Sequence, residues 1–454
     1  MRKNMLRWIT LSYALHPLQI NKINSGQDRR MSLLNKPHYY LIAVFLVCAT
    51  ISAYAQSPAA NYDEVKVGLY TLPNPLVFEN GKPVRSPREW KRRRQEIIEL
   101  FQANVYGRSP KKTRARFDVF DIDKSALGGK AIRKQVTIYF SAKKDGPKAD
   151  LLIYIPTGAS KPVPMFLTMN FWGNHEVIND PGIRLPNVWS AKTHERHKAS
   201  EDTRGRDKEF EVGKILARGY GFATIYYQDI DPDFKGGYVD GIRPLFFKPG
   251  QSEPEREDWG AIGAWSYGLS RAMDYLEQDR DVDSKRVAIM GHSRLGKMVL
   301  WAGAIDTRFA MVIANCSGEG GASLYRRHYG ETIANLVGAF PFWFSISFQD
   351  FVDHAVGLPV DAHELIALIA PRPVYITGAE DDRWADPKGE FLAGVAAGPV
   401  FRLLGAQDLG TDKMPPLNRP IMHTIGFHVR TGKHAVTSFD WDQFLTFADM
   451  HLRP

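Results

Sequence analysis

Hydrophobic residues occur along this chain in short, nearly unbroken runs, and several of the stretches between the runs carry apolar residues at helical spacing. Short apolar runs bounded by turn residues predict strands, and runs without polar alternation predict strands that are covered on both faces. The predicted strands are residues 135–140, 151–155, 164–170, 222–227, 286–290, 311–314, 373–377 and 425–429.

Helices are predicted before and between these strands. Ser86-Pro87-Arg88-Glu89 has the serine, proline and glutamate typical of a helix start. Further helices are predicted at 261–277, from Arg294 onward and at 440–450. A polar turn joins the first two strands, which predicts a hairpin, and residues 172–215 predict an inserted loop near a site. The alternation of strand and helix predicts an α/β fold, a three-layer αβα sandwich with a mostly parallel central sheet.

The amino-terminal residues are typical of an export signal. An apolar run at 41–51 follows basic residues and ends at Ala53-Tyr54-Ala55, a small-x-small cleavage pattern. With Met31 as the true start, 1–30 is an upstream extension and 31–55 a signal peptide cleaved after Ala55. The run is too short to cross a bilayer, which takes about 20 apolar residues. We expect a secreted or periplasmic protein without a membrane segment after cleavage; the alternative is an uncleaved anchor.

The rest of the chain is predicted to be an extended lead-in at 56–85 and one domain at 86–454. With 44% hydrophobic and 12% aromatic residues in 454, the chain can bury a large core, which excludes disorder. Two cysteines exclude a disulfide scaffold, and cleavage after Ala55 would leave only Cys316. We expect a monomer.

The net charge of +9 does not indicate a nucleic-acid partner. Residues 1–55 hold seven of the 59 basic residues and one of the 50 acidic residues, so the remainder carries only +3. Because the chain after residue 55 is close to neutral, its charge does not predict binding to an acidic polymer. The sequence also lacks a phosphate loop after a strand and a metal-binding spacing, so we expect no cofactor and no metal.

Candidate chemistry begins at Gly291-His292-Ser293-Arg294-Leu295, which lies between a predicted strand and a predicted helix. A sharp strand-to-helix turn can raise a serine hydroxyl above the sheet, and its flanking positions tolerate little bulk. The pattern is only half met, because Leu295 stands where a glycine is usual and the glycine follows at 296. The alternative is an ordinary turn with a capping serine.

A serine nucleophile needs a base and an acid that orients the base. In α/β-hydrolases these residues follow the serine in the order acid, then histidine. Here a predicted strand end is followed by Glu380, Asp381 and Asp382, and His434 lies in a loop after the last predicted strand. The order is met, and it favours an α/β-hydrolase fold.

Several segments together resemble the bacterial glucuronoyl esterases, a carbohydrate esterase family of the α/β-hydrolase fold. The resemblance spans roughly residues 60–454, and its most specific segment is 291–297, where Leu295 and Gly296 are as in the family. The other matching segments are 170–175, 317–321, Arg326-Arg327, 329–331, 341–343, 384–387 and the His434 loop. The resemblance implies a serine carboxylic ester hydrolase. Its expected substrates are esters between 4-O-methylglucuronic acid of glucuronoxylan and lignin alcohols.

The resemblance also implies roles for individual residues. Ser293 is expected to be the nucleophile, His434 the base, and Arg294 a donor to the oxyanion. The expected substrate-binding residues are Lys297, Glu331 and Trp384. The plainer alternatives are a solvated helix lysine, a charge at a helix start and a tryptophan that packs in the core.

The acid of the triad is where this sequence departs from the family. Many members carry it just before the Ser-Gly-x-Gly-Gly segment, and this chain has Cys316 there. A neutral thiol is a poor substitute for a carboxylate that must stabilise imidazolium. We therefore predict Asp382 as the acid, with Asp381, Glu380 and Glu319 left open.

Two other functions stay open at this point. One is acetyl-xylan esterase or general carboxylesterase activity on the same fold, and the other is a non-catalytic relative that binds glycans. The ordered serine, acid and histidine argue against the second alternative, because a binding protein has no need of them.

Overall fold

A ten-stranded sheet organises the chain, in the order β1-β2-β3-β7-β4-β8-β9-β10-β12-β11. The computed structural model describes residues 60–111, 113, 115–141 and 143–453. The predicted signal peptide and the upstream extension lie outside these residues. The six strands from β7 to β12 in the middle of this order are parallel, and the pairs β1–β2, β2–β3, β3–β7 and β12–β11 are antiparallel. The predicted mostly parallel sheet is confirmed.

The strands are β1 (Arg116–Ser125), β2 (Ala131–Tyr139), β3 (Lys148–Pro156), β4 (Val163–Asn170), β5 (Asn187–Trp189), β6 (Arg196–Lys198), β7 (Gly221–Tyr226), β8 (Val282–His292), β9 (Met311–Asn315), β10 (Val374–Ala379), β11 (Ile421–Met422) and β12 (Ile425–Arg430). The main helices are α1 (Pro87–Phe101), α2 (Val212–Ala217), α3 (Ala261–Leu276), α4 (Arg294–Ile305), α5 (Ile333–Ala339), α6 (Ala362–Ala367), α7 (Pro387–Leu403) and α8 (Ser438–Leu452).

Each face of the sheet supports its own hydrophobic core. Along β8, Val287 and Ile289 pack in one core, while Ala288 and Met290 pack in the other. The first core is shared with α1, α3, α4 and α7, and the second with α2 and α8. Side chains alternate across a strand, so a strand that is apolar at every position is covered on both faces. This arrangement is the predicted three-layer sandwich.

The hairpin predicted from the first two runs is confirmed as β2 and β3. The pattern does not predict β1 or β11, which are the edge strands. Most of β1 is exposed and carries aspartates between its apolar residues, and β11 has two residues. Edge strands of this kind have a weak hydrophobic signal, because they do not have to bury two faces.

The parallel strands position the site. Their carboxyl ends meet at one edge of the sheet, where ligands bind in open α/β sheets. Ser293 directly follows β8, Cys316 follows β9, Asp382 comes shortly after β10, and His434 comes shortly after β12. These four residues are far apart in sequence, and the sheet brings them to the same edge.

Candidate active site

Ser293 occupies the sharp turn that the sequence predicts. Its backbone has φ 57° and ψ −126°, a strained conformation for a residue other than glycine, between the end of β8 and the start of α4. Its backbone N–H donates to the carbonyl of Asn315 at 2.9 Å, which ties the turn to the end of β9. Strain that the surrounding structure holds in place is typical of a nucleophile elbow.

The irregular glycine spacing has a steric explanation. A Cβ at position 291 would lie 2.1 Å from the carbonyl oxygen of Leu295, so only glycine fits there. A Cβ at position 296 would lie 3.0 Å from the Cβ of Ser317, where α4 passes the loop after β9. Leu295 itself is buried in the core. The backbone therefore requires close approach at 291 and 296, and a large side chain is accommodated at 295.

Asp382 is the carboxylate that contacts the candidate base. His434 Nδ1 lies 2.6 Å from Asp382 Oδ2, so this nitrogen donates and Nε2 is free to accept a proton. The Asp382 side chain is buried, whereas the His434 side chain is 40% exposed. The neighbouring alternatives, Glu380 and Asp381, are exposed. Geometry favours Asp382 among the carboxylates that the sequence left open.

His292 forms part of the site, although the sequence analysis assigned no role to it. Its ring centroid lies 4.4 Å from that of His434, and its Nδ1 donates to Asn315 Oδ1 at 2.7 Å. Burial, together with the nearby His434, lowers the pKa of His292 to about 3. His292 is therefore neutral near pH 7, and an uncharged ring packs against the base.

Arg294 has a partner that the sequence analysis missed. Its guanidinium contacts the carboxylate of Asp233 and lies over the ring of Trp343, at 4.9 Å from the centroid. Asp233 also accepts hydrogen bonds from Trp343 Nε1 at 2.6 Å and from the hydroxyl of Tyr227 at 2.7 Å. Asp233 therefore fixes a cation beside Ser293. No local sequence signal connects an aspartate to a residue 61 positions away.

Two cavities meet at Ser293, Arg294 and His434, which line both. The smaller cavity has a volume of about 370 Å³ and contains the three predicted substrate-binding residues, Lys297, Glu331 and Trp384. The larger has a volume of about 600 Å³ and lies under the inserted loop that the sequence predicts near a site. The turn at Ser293 therefore lies where two cavities adjoin.

The smaller cavity has a hydrogen-bonded wall. Lys297 Nζ donates to Glu331 Oε2 at 2.8 Å and to the carbonyls of Ser317 and Glu319 at 2.7 and 2.6 Å. An ammonium group has three N–H donors, and three protein acceptors are in place. The backbone N–H of Glu331 donates to the carbonyl of Trp384 at 2.8 Å, and Trp384 is 41% exposed. Trp384 is thus available to a ligand and is not a core residue.

The larger cavity has a group of aromatic residues in its wall. Its residues include Phe171, Trp172, Trp189, Tyr226, Tyr227 and Phe234. Trp172 is 55% exposed. Glu209 also lines this cavity, and burial raises the pKa of its carboxyl to about 8. At neutral pH the cavity therefore combines aromatic walls and a protonated Glu209 with charged groups such as Arg206 and Arg294.

Glu390 supports the wall of the smaller cavity from α7. Its Oε1 accepts hydrogen bonds from the Ser317 N–H at 2.8 Å, the Ser317 hydroxyl at 2.9 Å and the Gly318 N–H at 3.0 Å. Its Oε2 is buried, and no hydrogen-bond partner for it exists in the described part of the chain. Burial raises the pKa of Glu390 to about 8, so the folded protein holds this carboxyl as the neutral acid at pH 7.

This pKa predicts a pH-dependent stability that Glu390→Gln removes. Below pH 4.5, the ordinary Glu value, folded and unfolded chains both hold the proton. Between pH 4.5 and about 8 only the unfolded chain releases it, so the free energy of unfolding falls as pH rises. The largest change in the free energy of unfolding that this group can cause is about 5 kcal/mol. The free energy of unfolding is measured with denaturant at pH 5 and pH 8.5. It should fall between these pH values in the natural protein and fall less in Glu390→Gln. Equal changes in both proteins would contradict a neutral Glu390.

No helix within the described residues combines the length and the apolar character that a bilayer crossing requires.

Comparison with known proteins shows that this chain is similar to carbohydrate esterases. A family model for glucuronyl esterases of fungi matches residues 253–405. A curated carbohydrate esterase from an unknown prokaryotic organism is 47% identical over 424 residues, which is 91% of this chain and 98% of that protein.

Two solved structures are similar over almost their whole length. A glucuronoyl esterase from Solibacter usitatus has 49% identity and a TM-score of 0.83, covering 85% of this chain and 99% of its own. A promiscuous esterase of carbohydrate esterase family 15, from the marine bacterial metagenome, has 49% identity and a TM-score of 0.81, covering 87% and 100%.

Proposed function

This chain belongs to the glucuronoyl esterase family, carbohydrate esterase family 15, and from that premise we propose that it is a serine esterase that cleaves glucuronoyl esters through an acyl-enzyme. The observation that carries the proposal is the 2.6 Å contact between Asp382 and His434 beside a strained Ser293. A strained serine, an imidazole with its Nε2 free and a buried carboxylate together are the parts that acyl transfer needs.

In the proposed mechanism, the Ser293 hydroxyl attacks the ester carbonyl and gives its proton to His434 Nε2. Asp382 keeps His434 in the required tautomer and stabilises the imidazolium. The negative charge on the carbonyl oxygen develops beside the Arg294 N–H, at the start of α4, and beside the guanidinium. One such donor is worth about 3 kcal/mol in the transition state. His434 then protonates the leaving alcohol, and water releases the uronic acid by the same steps.

The two cavities divide the substrate between them in this proposal. The uronate lies in the smaller cavity, with Glu331 accepting from a sugar diol and Trp384 providing an apolar face for the pyranose. Lys297 already has three acceptors, so it binds a sugar hydroxyl only in place of one of them. Its main contribution is then to hold Glu331. The alcohol lies in the larger, aromatic cavity.

The test compares initial rates on three ester classes: benzyl glucuronate, acetylated xylan and an activated acetate. The expected result is a clear preference in kcat/KM for the glucuronate ester, which Ser293→Ala abolishes without a change in the circular dichroism spectrum. Labelling of Ser293 by a fluorophosphonate provides a second readout. A preference for acetyl groups would end the uronate assignment. Glycan binding with neither activity nor labelling would indicate the non-catalytic alternative.

A broader carboxylesterase is the second candidate, because one of the similar structures is described as a promiscuous esterase. The same three substrates distinguish the two candidates. Rates of similar size on the acetate and the glucuronate would favour broad specificity, and a large ratio would favour a dedicated glucuronoyl esterase.

The alcohol cavity makes a prediction of its own. Trp172→Ala should raise KM for a benzyl glucuronate ester about tenfold, because an aromatic contact of this type is worth about 1 kcal/mol or more. KM for the methyl ester should change little, since a methyl group does not reach the indole. Leu245→Ala is the matched control, because Leu245 is also partly exposed but does not line the cavity. Equal losses on both esters would contradict the assignment of the alcohol side.

We further propose that the mature protein is secreted or periplasmic, acts as a monomer, and meets its ester on glucuronoxylan linked to lignin alcohols. The sequence at 31–55 supports export, and the exposed Trp384 at the rim of the smaller cavity supports access by a polymer.

A further inference from the structure

Three different metal-binding groups lie close together, and one of them is the proposed base, His434. Cys316 Sγ, a carboxylate oxygen of Asp382 and a ring nitrogen of His434 all lie within 4.8 Å of one another. They come from the loops after β9, β10 and β12, so their spacing in sequence gives no sign of a site. Cys316 is a free, buried thiol.

We infer that these three residues form an inhibitory site for a thiophilic divalent cation such as Zn²⁺ or Cd²⁺. Thiolate, imidazole and carboxylate are all ligands of Zn²⁺, and thiolate selects it over Mg²⁺ and Ca²⁺. The inference rests on the proposed function, because inhibition requires that His434 be the base. It adds a ligand class that the esterase reaction does not use.

The geometry is close to what a tetrahedral ion needs. Zn–S is about 2.3 Å and Zn–N and Zn–O are about 2.1 Å, which places tetrahedral ligands about 3.3–3.6 Å apart. Cys316 Sγ must therefore approach the other two donors by about 1 Å at most, whereas His434 Nδ1 and Asp382 Oδ2, which are 2.6 Å apart, must separate by about 1 Å. His434 can move, since its side chain is 40% exposed and its loop contains Gly432 at φ 96°.

The local charge also favours a cation. Burial, the neighbouring Glu390 and the carboxylate of Asp382 raise the pKa of the Cys316 thiol well above its usual range. The negative charge of Asp382 attracts a divalent ion, which replaces the thiol proton. Arg430 is the cation that acts on Cys316, and its donors are already used by Asp440 and by carbonyls of its own loop.

Binding would block the base by a defined proton movement. The metal forms bonds to Cys316 Sγ, Asp382 and His434 Nδ1 and sheds water ligands. The thiol proton leaves to solvent, and the imidazole proton moves from Nδ1 to Nε2. With Nε2 protonated, His434 cannot accept the proton of Ser293. The metal therefore competes with catalysis at the wall of the smaller cavity, which all three ligands line.

A binding experiment tests the site independently of activity. The full-length chain is titrated with Cd²⁺, and the ultraviolet charge-transfer band between thiolate and metal is recorded. The natural protein, Ser293→Ala and Cys48→Ser should each show one equivalent of the band, and Cys316→Ser should lack it. A band that persists in Cys316→Ser, or is lost in Cys48→Ser, would overturn the site.

An inhibition experiment then tests its consequence. For each variant, the rate with metal is divided by its own metal-free rate on an ester that it hydrolyses. Differences in basal activity between variants then do not affect the comparison. Zn²⁺ should inhibit the natural protein, a chelator should restore the rate, and Cys316→Ser should need at least tenfold more Zn²⁺. Mg²⁺ should have no effect. Equal inhibition of both proteins would overturn the inference, and Cys316→Ala replaces Cys316→Ser if the latter does not fold. A rate that is absent without metal would instead contradict the proposed function.

Discussion

Replacing Asp382 with asparagine is expected to lower kcat on a glucuronoyl ester about ten-thousand-fold, the loss typical of removing this charge from a Ser-His-Asp triad. Asp382 Oδ2 accepts from His434 Nδ1 at 2.6 Å and thereby keeps the lone pair of the ring on Nε2. An asparagine can present its N–H₂ to Nδ1, which favours the tautomer that cannot act as base. KM should change little, since the charge acts mainly in the transition state.

The matched controls are Asp381→Asn and Glu380→Gln. Both carboxylates are within two positions of Asp382 in the same strand-end segment, but both are exposed. Their kcat values should stay within about twofold of the natural protein, as is usual for surface changes away from the reacting atoms. Steady-state kinetics on benzyl glucuronate measures all three. If the large loss occurs in either control, and not in Asp382→Asn, the acid has been wrongly assigned.

Replacing Gly291 with alanine should damage the elbow itself. The new Cβ would lie 2.1 Å from the carbonyl oxygen of Leu295, an atom of the α4 backbone that cannot rotate away. The turn must therefore shift, and a displacement of about 1 Å at a nucleophile can reduce the rate about 100-fold. Overpacking of this kind also lowers the free energy of unfolding by about 1–3 kcal/mol.

Gly213→Ala is the control for this substitution. Gly213 is in α2, and a Cβ there would meet no atom within 4 Å. Alanine should therefore leave kcat unchanged and add about 0.5–1 kcal/mol of stability, the usual gain from removing a glycine within a helix. Activity and denaturant unfolding are measured on both variants. Full activity in Gly291→Ala would show that the collision is relieved by a movement that leaves Ser293 in place.

The elbow is the part of the site that could be predicted most directly, because its signal is local. Gly291 and Ser293 lie between an apolar strand and a helix, and both the strand and the helix are confirmed as β8 and α4. The order of serine, acid and histidine also follows the chain. It restricts the acid to carboxylates after Ser293, and the sequence analysis predicted Asp382 while Asp381, Glu380 and Glu319 stayed open, because the four side chains are chemically alike.

Other features of the site have no local signal. His292 packs against His434, Asp233 holds Arg294, and Glu390 fixes the Ser317 turn across 73 positions. Each pairing depends on how loops from different strands fold over the sheet edge. The two cavities and the cluster of Cys316 with Asp382 and His434 have the same origin.

The sequence by itself determined the layered α/β fold, the position of the strand-to-helix turn at Ser293 and the order of the proposed triad. Hydrophobic periodicity and glycine placement involve only residues that are close in sequence. They therefore act locally and do not depend on contacts between distant parts of the chain. Only the tertiary structure decided which carboxylate reaches the imidazole, what surrounds it and where the substrate spaces lie. Those contacts join residues tens to hundreds of positions apart, and their distances are set by the register of the parallel strands, which brings the ends of β8, β9, β10 and β12 to one edge.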